Sequence, residues 1–292
     1  MRLWRWIILV VVILGAGIGI YMLTPVTGPA RDLTLVGDAT RGQYLIRLGG
    51  CVTCHTDPAN ETAELAGGAG LATPFGTFYP PNITPSQSAG IGNWTLAQFS
   101  KAMSDGEGPQ GHLYPAFPYD SYTLMSDQEI VDLYAALQAV PVNDTPSKAH
   151  EVGFPFNIRL AMAGWKHLFF HPQRFVADAS KSEAWNRGKY IVFGPGHCVS
   201  CHSPRNLLGG LEAGKELSGN LAGGPGGKAP SLLKADLEAH QYDIPAMIQT
   251  LTDGFTPGFD TLGGAMEEVI TDETSHWTEE DKAAVAEYLL GG

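Results

Sequence analysis

Two copies of one pentapeptide use up every cysteine in this 292-residue chain: Cys51-Val52-Thr53-Cys54-His55 and Cys198-Val199-Ser200-Cys201-His202. C-x-x-C-H is the attachment pattern of a c-type haem, in which both thiols bond to the porphyrin and the following histidine ligates its iron. The two-residue gap lets both sulfurs reach one ring, and the adjacent imidazole falls beneath it. A chain built on two such sites must fold twice around a flat, bulky group, and it keeps no thiol for catalysis. Paired C-x-x-C zinc sites need no histidine after each pair. A disulfide framework belongs to chains too short for a core of their own. The motifs predict two covalently bound haem c groups, attached at Cys51, Cys54, Cys198 and Cys201, with His55 and His202 as proximal iron ligands.

The N-terminus reads Met1-Arg-Leu-Trp-Arg-Trp6, followed by an uncharged apolar run from Ile7 to Leu23. At about 1.5 Å per residue a helix of that length spans roughly 26 Å, the short end of a membrane crossing. The run is longer than an ordinary signal-peptide core and no A-x-A-like cleavage site follows it, which favours a retained anchor. Trp4 and Trp6 stand where interfacial aromatics belong. Arg2 and Arg5 precede the span with no basic cluster after it, so the N-terminus is expected in the cytoplasm. The reading is a single pass through the inner membrane, with the haem domains in the periplasm, where c-type attachment takes place. A formal charge of −12 argues against nucleic acid as a partner. It suits either solubility or the steering of a basic redox partner.

Beyond a Pro/Gly-containing tether the sequence repeats itself. Arg41-Gly-Gln-Tyr44 leads into the first motif and Arg187-Gly-Lys-Tyr190 into the second. Each motif is followed by a Pro/Gly-rich loop. Residues 96–106 and 244–254 then read as helices stopped by Gly106 and Gly254. Ser126-x-x-Glu129 is a capping box before an apolar stripe of Ile130, Leu133, Tyr134 and Leu137, and Thr278-x-x-Asp281 takes its place in the second copy. Alternating strand patterns are nearly absent. The expected fold is all-α, with two haem domains in tandem behind a transmembrane helix. The segments are an anchor (1–23), a tether (24–37), a first domain (38–143), a helical linker (144–186) and a second domain (187–292). In the linker, residues 158–170 form an aromatic-rich helix, lying either on a membrane or partner, or buried between the repeats. Glycine runs such as 223–227 lack the residues of a phosphate loop and read as haem-edge loops.

Several stretches resemble the multihaem cytochrome c subunits of bacterial membrane-bound alcohol, aldehyde and gluconate dehydrogenases. They are Trp185-Asn-Arg-Gly-Lys-Tyr190, Gly196-His-Cys-Val-Ser-Cys-His-Ser-Pro-Arg-Asn206, His112-Leu-Tyr-Pro-Ala-Phe-Pro-Tyr119, Asn82-Ile-Thr-Pro85 with Gly90-Ile-Gly92, and Ala161-Met-Ala-Gly-Trp165. The resemblance covers roughly residues 38 to 290. It implies cytochrome c domains that take electrons from a quinoprotein or flavoprotein and pass them towards quinone or an oxidase. This chain departs from that pattern in having two motifs rather than three, in its anchor, and in Phe117, where many relatives place the first haem's axial methionine.

The distal ligand decides between a carrier and an open, reactive iron. Met266, in Gly263-Gly-Ala-Met266, is expected in a loop between two helices and matches the family's glycine-rich methionine motif; its alternative is a core methionine. In the first repeat Met103 falls in a helical stripe and is expected in the core. Met125 directly precedes the Ser126 cap, so it is either a hydrophobic staple against Ile130 or the distal ligand. The resemblance favours the ligand, since relatives with Pro-Ala-Phe-Pro-Tyr carry methionine there. His112 is the reserve, with a hydrogen bond to loop backbone as its ordinary alternative. Asn82 and Arg205 are candidates to bond haem propionates or backbone. The leading expectation is a membrane-anchored dihaem electron carrier, without catalysis of its own, between a dehydrogenase or respiratory complex and a downstream cytochrome or oxidase. The rivals are a dihaem peroxidase with an open first haem, a thiosulfate dehydrogenase (which would need a spare cysteine) and a subunit that chiefly anchors a partner.

Overall fold

The computed structural model describes every residue except Met1, Pro58, Asn60, Pro225, Gly226 and Gly292. The chain opens on α1 (Arg2–Met22), the one helix among the described residues long and apolar enough to cross a membrane. The tether has no regular structure but is pinned. The Gly28 N–H donates to Asp105 (3.0 Å), and Asp32 N–H donates to Asp127 (2.9 Å). The guanidinium of Arg31 reaches the carbonyl oxygens of Thr123 (2.6 Å) and Met125.

The first repeat runs through α2 (Ala39–Leu48), the motif helix α3 (Cys51–His55) and a hairpin of β1 (Leu71–Thr73) and β2 (Gly76–Phe78). It continues through α4 (Leu96–Asp105), β3 (Glu107–Gly108), β4 (Gly111–His112), α5 (Tyr119–Tyr122) and α6 (Asp127–Leu137). The connecting stretch holds β5 (Glu151–Val152) and α7 (Ala161–Phe169). The second repeat comprises α8 (Glu183–Phe193), the motif helix α9 (Cys198–His202), and a hairpin of β6 (Asn220–Gly224) and β7 (Gly227–Ala229). After these come α10 (Lys234–Ala239), α11 (Ile244–Asp253), α12 (Ala265–Asp272), a 3-10 turn (Thr274–His276) and α13 (Glu279–Leu290).

The helix signals read from sequence sit where they were expected. Ser126 and Glu129 form a reciprocal capping box at the start of α6, and Thr278 accepts from the Asp281 N–H at the start of α13. α4 and α11 stop at Gly106 (φ 61°) and Gly254 (φ 81°). The strands are two to five residues long, too short for a period-two pattern to register. β5 returns to pair antiparallel with β2, so the linker adds an edge strand to the first repeat's hairpin.

The repeated Arg-Gly-x-Tyr sequence makes the same crossing twice. α2 lies across α6 so closely that a Cβ on Gly42 would stand 2.0 Å from the carbonyl oxygen of Asp132. α8 lies across α13 likewise, with 1.9 Å from Gly188 to the carbonyl oxygen of Ala284. Each preceding arginine then forks onto an aspartate of the crossed helix. Arg41 donates to Asp132 at 2.7 and 3.0 Å, and Arg187 to Asp281 at 2.8 and 2.7 Å. Most of the buried apolar side chains of both repeats belong to one continuous cluster.

α7 buries Ala163 and Lys166, and Phe170 just beyond it packs edge-on against Tyr119 at 5.0 Å. The ammonium of Lys166 donates to the carbonyl oxygens of Asp105 (2.6 Å) and Gly106 (2.8 Å), closing the C-terminal end of α4. Burial against the repeats thus holds for one side of this helix, while Leu168 on another side stays exposed.

Candidate functional site

Each motif is a single helical turn entered through a left-handed residue. Gly50 caps α3 at φ 61° and His197 caps α9 at φ 34°. Glycine adopts that conformation without strain, and here it has a second reason. A Cβ on Gly50 would lie 2.7 Å from Glu273 Oε2 and 3.2 Å from His197 Nε2. The residues preceding the first cysteine of each motif therefore abut. Tyr122 closes the same junction, donating from Oη to the Gly49 carbonyl at 2.6 Å and meeting the His197 ring at 5.7 Å, nearly perpendicular.

The two motif histidines are oriented identically. His55 Nδ1 lies 2.6 Å from the Pro81 carbonyl oxygen, and His202 Nδ1 lies 2.8 Å from that of Pro230. A carbonyl only accepts, so Nδ1 carries the proton and Nε2 keeps its lone pair in both rings, as a metal ligand requires. Burial pushes the Cys51, Cys54 and Cys198 thiols up to about 12 and raises Cys201 as well. Unmodified, these are not activated thiolates. Among the described residues no group of three or more His, Cys, Asp or Glu side chains could hold a bare metal ion.

Among the described residues, five of the buried polar atoms without a hydrogen-bond partner lie in or beside the motifs. Thr53 Oγ1 and Ser200 Oγ lie within the motif helices, and Arg205 Nε belongs to a side chain that also donates to the Ser200 carbonyl. Trp277 Nε1 belongs to a ring that a Cβ on Gly196 would approach to 3.1 Å, and Glu273 Oε1 belongs to the carboxyl beside Gly50. Burial raises the Glu273 carboxyl well above its ordinary range, which favours its neutral form.

No protein-family model matches the chain. It is 39% identical over 290 residues to a "Diheme cytochrome c-type" protein of Cereibacter sphaeroides, covering 96% of this chain and 95% of that one. The chain belongs to the c-type cytochrome family of that protein. To the "Fructose dehydrogenase cytochrome subunit" of Gluconobacter japonicus it is 36% identical over 257 residues, covering 86% of this chain and 51% of that protein. To the "Alcohol dehydrogenase (quinone), cytochrome c subunit" of Gluconobacter oxydans it is 35% identical over 258 residues, covering 85% and 53%. The cytochrome thus spans nearly the whole of its dihaem relative but about half of these two dehydrogenase subunits.

The other expected residues of this cytochrome are placed unequally. Met125 is fully buried in the same cluster as Ile130, its backbone oxygen held by Arg31. Met266 is half-buried in the first turn of α12, not in a loop. The flanking glycines suggested the loop, but the chain re-enters a helix directly after Gly264 (φ 63°). Met103 is buried in α4, as its helical spacing indicated. Among the described residues the His112 ring meets no loop backbone; its Nδ1 lies 3.2 Å from the Lys166 ammonium. Asn82 is spent on backbone, donating to the carbonyls of Asn143 (2.8 Å) and Thr145 (3.0 Å). Of the glycine run, Gly224 pairs with Gly227 between β6 and β7, while Pro225 and Gly226 lie outside the described residues. Arg31, His197 and Glu273 were missed because their contacts come from distant parts of the chain. Only the Gly-His pair ahead of Cys198, set against Gly-Gly ahead of Cys51, hinted that the junction is asymmetric.

Proposed function

We propose that this cytochrome carries two covalently attached haem c groups and relays electrons between them. The carrying observation is the contact of Gly50 with His197, which brings the two attachment motifs together at one junction. The donor set fits the cofactor. Each motif offers two sulfurs and an imidazole whose Nε2 is free to ligate, and unpaired donors within the motifs (Thr53, Ser200) and beside them (Arg205, Trp277) are suited to propionate carboxylates. A covalently held haem c supplies a reversible one-electron iron couple.

The chain's own work is to hold and tune. Cys51, Cys54, Cys198 and Cys201 would fix the two rings, and His55 and His202 would supply the proximal nitrogens. The Pro81 and Pro230 carbonyls hold those imidazoles in orientation and increase their basicity. Met125 and Met266 would supply distal thioethers, which raise the potential and close the sixth position. Arg31 fixes the backbone of Met125 from the tether. We assign residues 38–143 and 187–292 as the two haem domains, 24–37 and 144–186 as tether and linker, and α1 as an inner-membrane anchor that leaves both domains in the periplasm. A dehydrogenase or respiratory complex would donate electrons, and a cytochrome or oxidase would accept them.

Purification of the matured chain from native membranes tests this reading. Expected are a mass exceeding the polypeptide by two haems, two one-electron waves in potentiometric titration, and a co-purifying dehydrogenase. A colourless chain of bare polypeptide mass would overturn it.

A further inference from the structure

Acidic residues outnumber basic ones 30 to 18 in this chain, yet none occurs between Glu151 and Asp178, a stretch that holds Arg159, Lys166 and Arg174. The same stretch leaves large apolar side chains in the open. Phe154 is 82% exposed, and Phe156, Ile158 and Leu168 are exposed as well. Leu207, 97% exposed, and Leu208 extend the surface from the second repeat. Contacts join these pieces. Trp165 Nε1 donates to the Leu208 carbonyl at 2.9 Å. Phe75 packs edge-on against Phe156 at 5.0 Å, and a Cβ on Gly209 would touch its ring at 3.0 Å. A contiguous apolar patch on a protein surface marks something that covers it.

What covers it is indicated by where the patch lies. α7 packs at the C-terminal end of α1, where the apolar span ends. His167 Nε2 lies 3.2 Å from Thr24 Oγ1 and 3.0 Å from the Thr24 carbonyl oxygen, and its ring is 4.6 Å from that of Tyr21. A Cβ on Gly164 would contact Met22. A surface beside the point where a spanning helix leaves the bilayer meets lipid head groups. Exposed aromatic and aliphatic side chains in a stretch without acids match that interface. We propose that the face formed by residues 154–168 and 207–208 lies in the phospholipid interface at the exit of α1, docking the haem-binding body on the membrane. This rests on reading α1 as an anchor. Docking fixes the height and orientation of both motifs above the membrane, which a tethered body without that contact would not have.

The test uses the full matured chain in phosphatidylglycerol/phosphatidylethanolamine vesicles. Single nitroxide labels go on Phe154→Cys, Leu168→Cys and Leu207→Cys, with Phe259→Cys, 96% exposed on another loop, as the aqueous control. Collision rates with oxygen and with a water-soluble nickel chelate are read by electron paramagnetic resonance. Oxygen-to-nickel ratios several-fold above that of the control at all three sites are expected. Ratios equal to the control would overturn docking, and so would labels shielded from both reagents, which would show a protein covering the face. A label on Ile13→Cys reports the anchor separately. Were it aqueous, the anchor reading would fall, while lipid-facing labels at 154, 168 and 207 would still uphold docking.

Discussion

Tyr44 donates its hydroxyl to Asp281 at 2.6 Å, from the helix that leads into the first motif to the first turn of the last helix in the other repeat. The exchange is mutual, since Tyr190 of the second repeat donates to Glu129 of the first at 2.6 Å. Glu129 and Asp281 are the third residues of α6 and α13, so each helix start is completed by the neighbouring repeat's tyrosine. The tyrosine of Arg-Gly-x-Tyr therefore ties the repeats together, while its arginine and glycine serve the crossing within one repeat. Tyr44→Phe should cost about 1.5–3 kcal/mol, as expected for a lost hydrogen bond to a charged acceptor. Thermal unfolding of Tyr44→Phe, Tyr190→Phe and the double variant would show the losses; a Tyr44→Phe melting point equal to wild type would refute the tie.

Acid should loosen the same interface. Desolvation would raise Asp281, but the Arg187 and Tyr44 hydrogen bonds outweigh it and hold the carboxyl below its ordinary value. Asp132 behaves in the same way, with burial opposed by Arg41, the Asp38 N–H and Gln128. A carboxyl whose folded pKa is depressed contributes stability that is present above its unfolded value, about 3.9, and lost as pH falls through the folded one. The contribution of these two carboxyls should be flat near neutrality and be lost below about pH 4. Asp281→Asn should shallow that drop in equilibrium denaturation at stepped pH; an unchanged slope would remove Asp281 from the account.

The two helix crossings predict an all-or-none response to one methyl group. At Gly42 and Gly188 the nearest atom is a backbone carbonyl oxygen, which cannot swing aside as a side chain would. Gly42→Ala and Gly188→Ala should each destabilise by about 3 kcal/mol or more, the upper range of overpacking. Gly258→Ala, whose Cβ would find its nearest neighbour at 3.8 Å, should change stability by less than about 0.5 kcal/mol. Denaturant midpoints for the three variants decide it, and equal effects at all three would show that the crossings can relax.

These crossings also show what the sequence makes legible. Caps, glycine stops and the Arg-Gly-x-Tyr repeat could be read because residues three or four apart encode them, and the same words occur twice. The motif histidines were legible for the same reason. Glu273 was not: in sequence it is one more acid beside Asp272, and only the meeting of α12 with Gly50 buries it. Met266 was misplaced in a loop because two preceding glycines outweighed the signal of an eight-residue helix. Met125 carried both its readings into the structure, since a residue just ahead of a cap is buried whether or not it ligates.

Glu273 makes a prediction of opposite sign to Asp281. Its carboxyl is raised by burial, so the folded state favours the neutral form. Stability from such a group is fully present below its ordinary value of about 4.3 and declines as pH rises above it. Glu273→Gln keeps the shape and removes the titration. Its melting point should exceed wild type by a few degrees near pH 8, on the order expected for about 1 kcal/mol, and match it near pH 4. A constant offset across that range would mean that the carboxyl does not titrate in the way its burial requires.

The distal ligands can be separated from their packing by choosing substitutions that treat the two sites differently. Met125 is 1% exposed, so Met125→Ala would leave a cavity costing about 2–5 kcal/mol whatever the residue binds. Met125→Leu keeps the volume at a cost below about 1.5 kcal/mol and removes the thioether. At half-buried Met266, alanine is tolerable in the first turn of a short helix. With two haems attached, Met125→Leu and Met266→Ala should each turn one iron high-spin and lower one of the two reduction potentials, leaving the other unchanged. Optical spectra and potentiometric titration of both variants read this directly. A low-spin spectrum and unshifted potentials in Met125→Leu would make that residue the staple of α6 and send the search for the first distal ligand elsewhere.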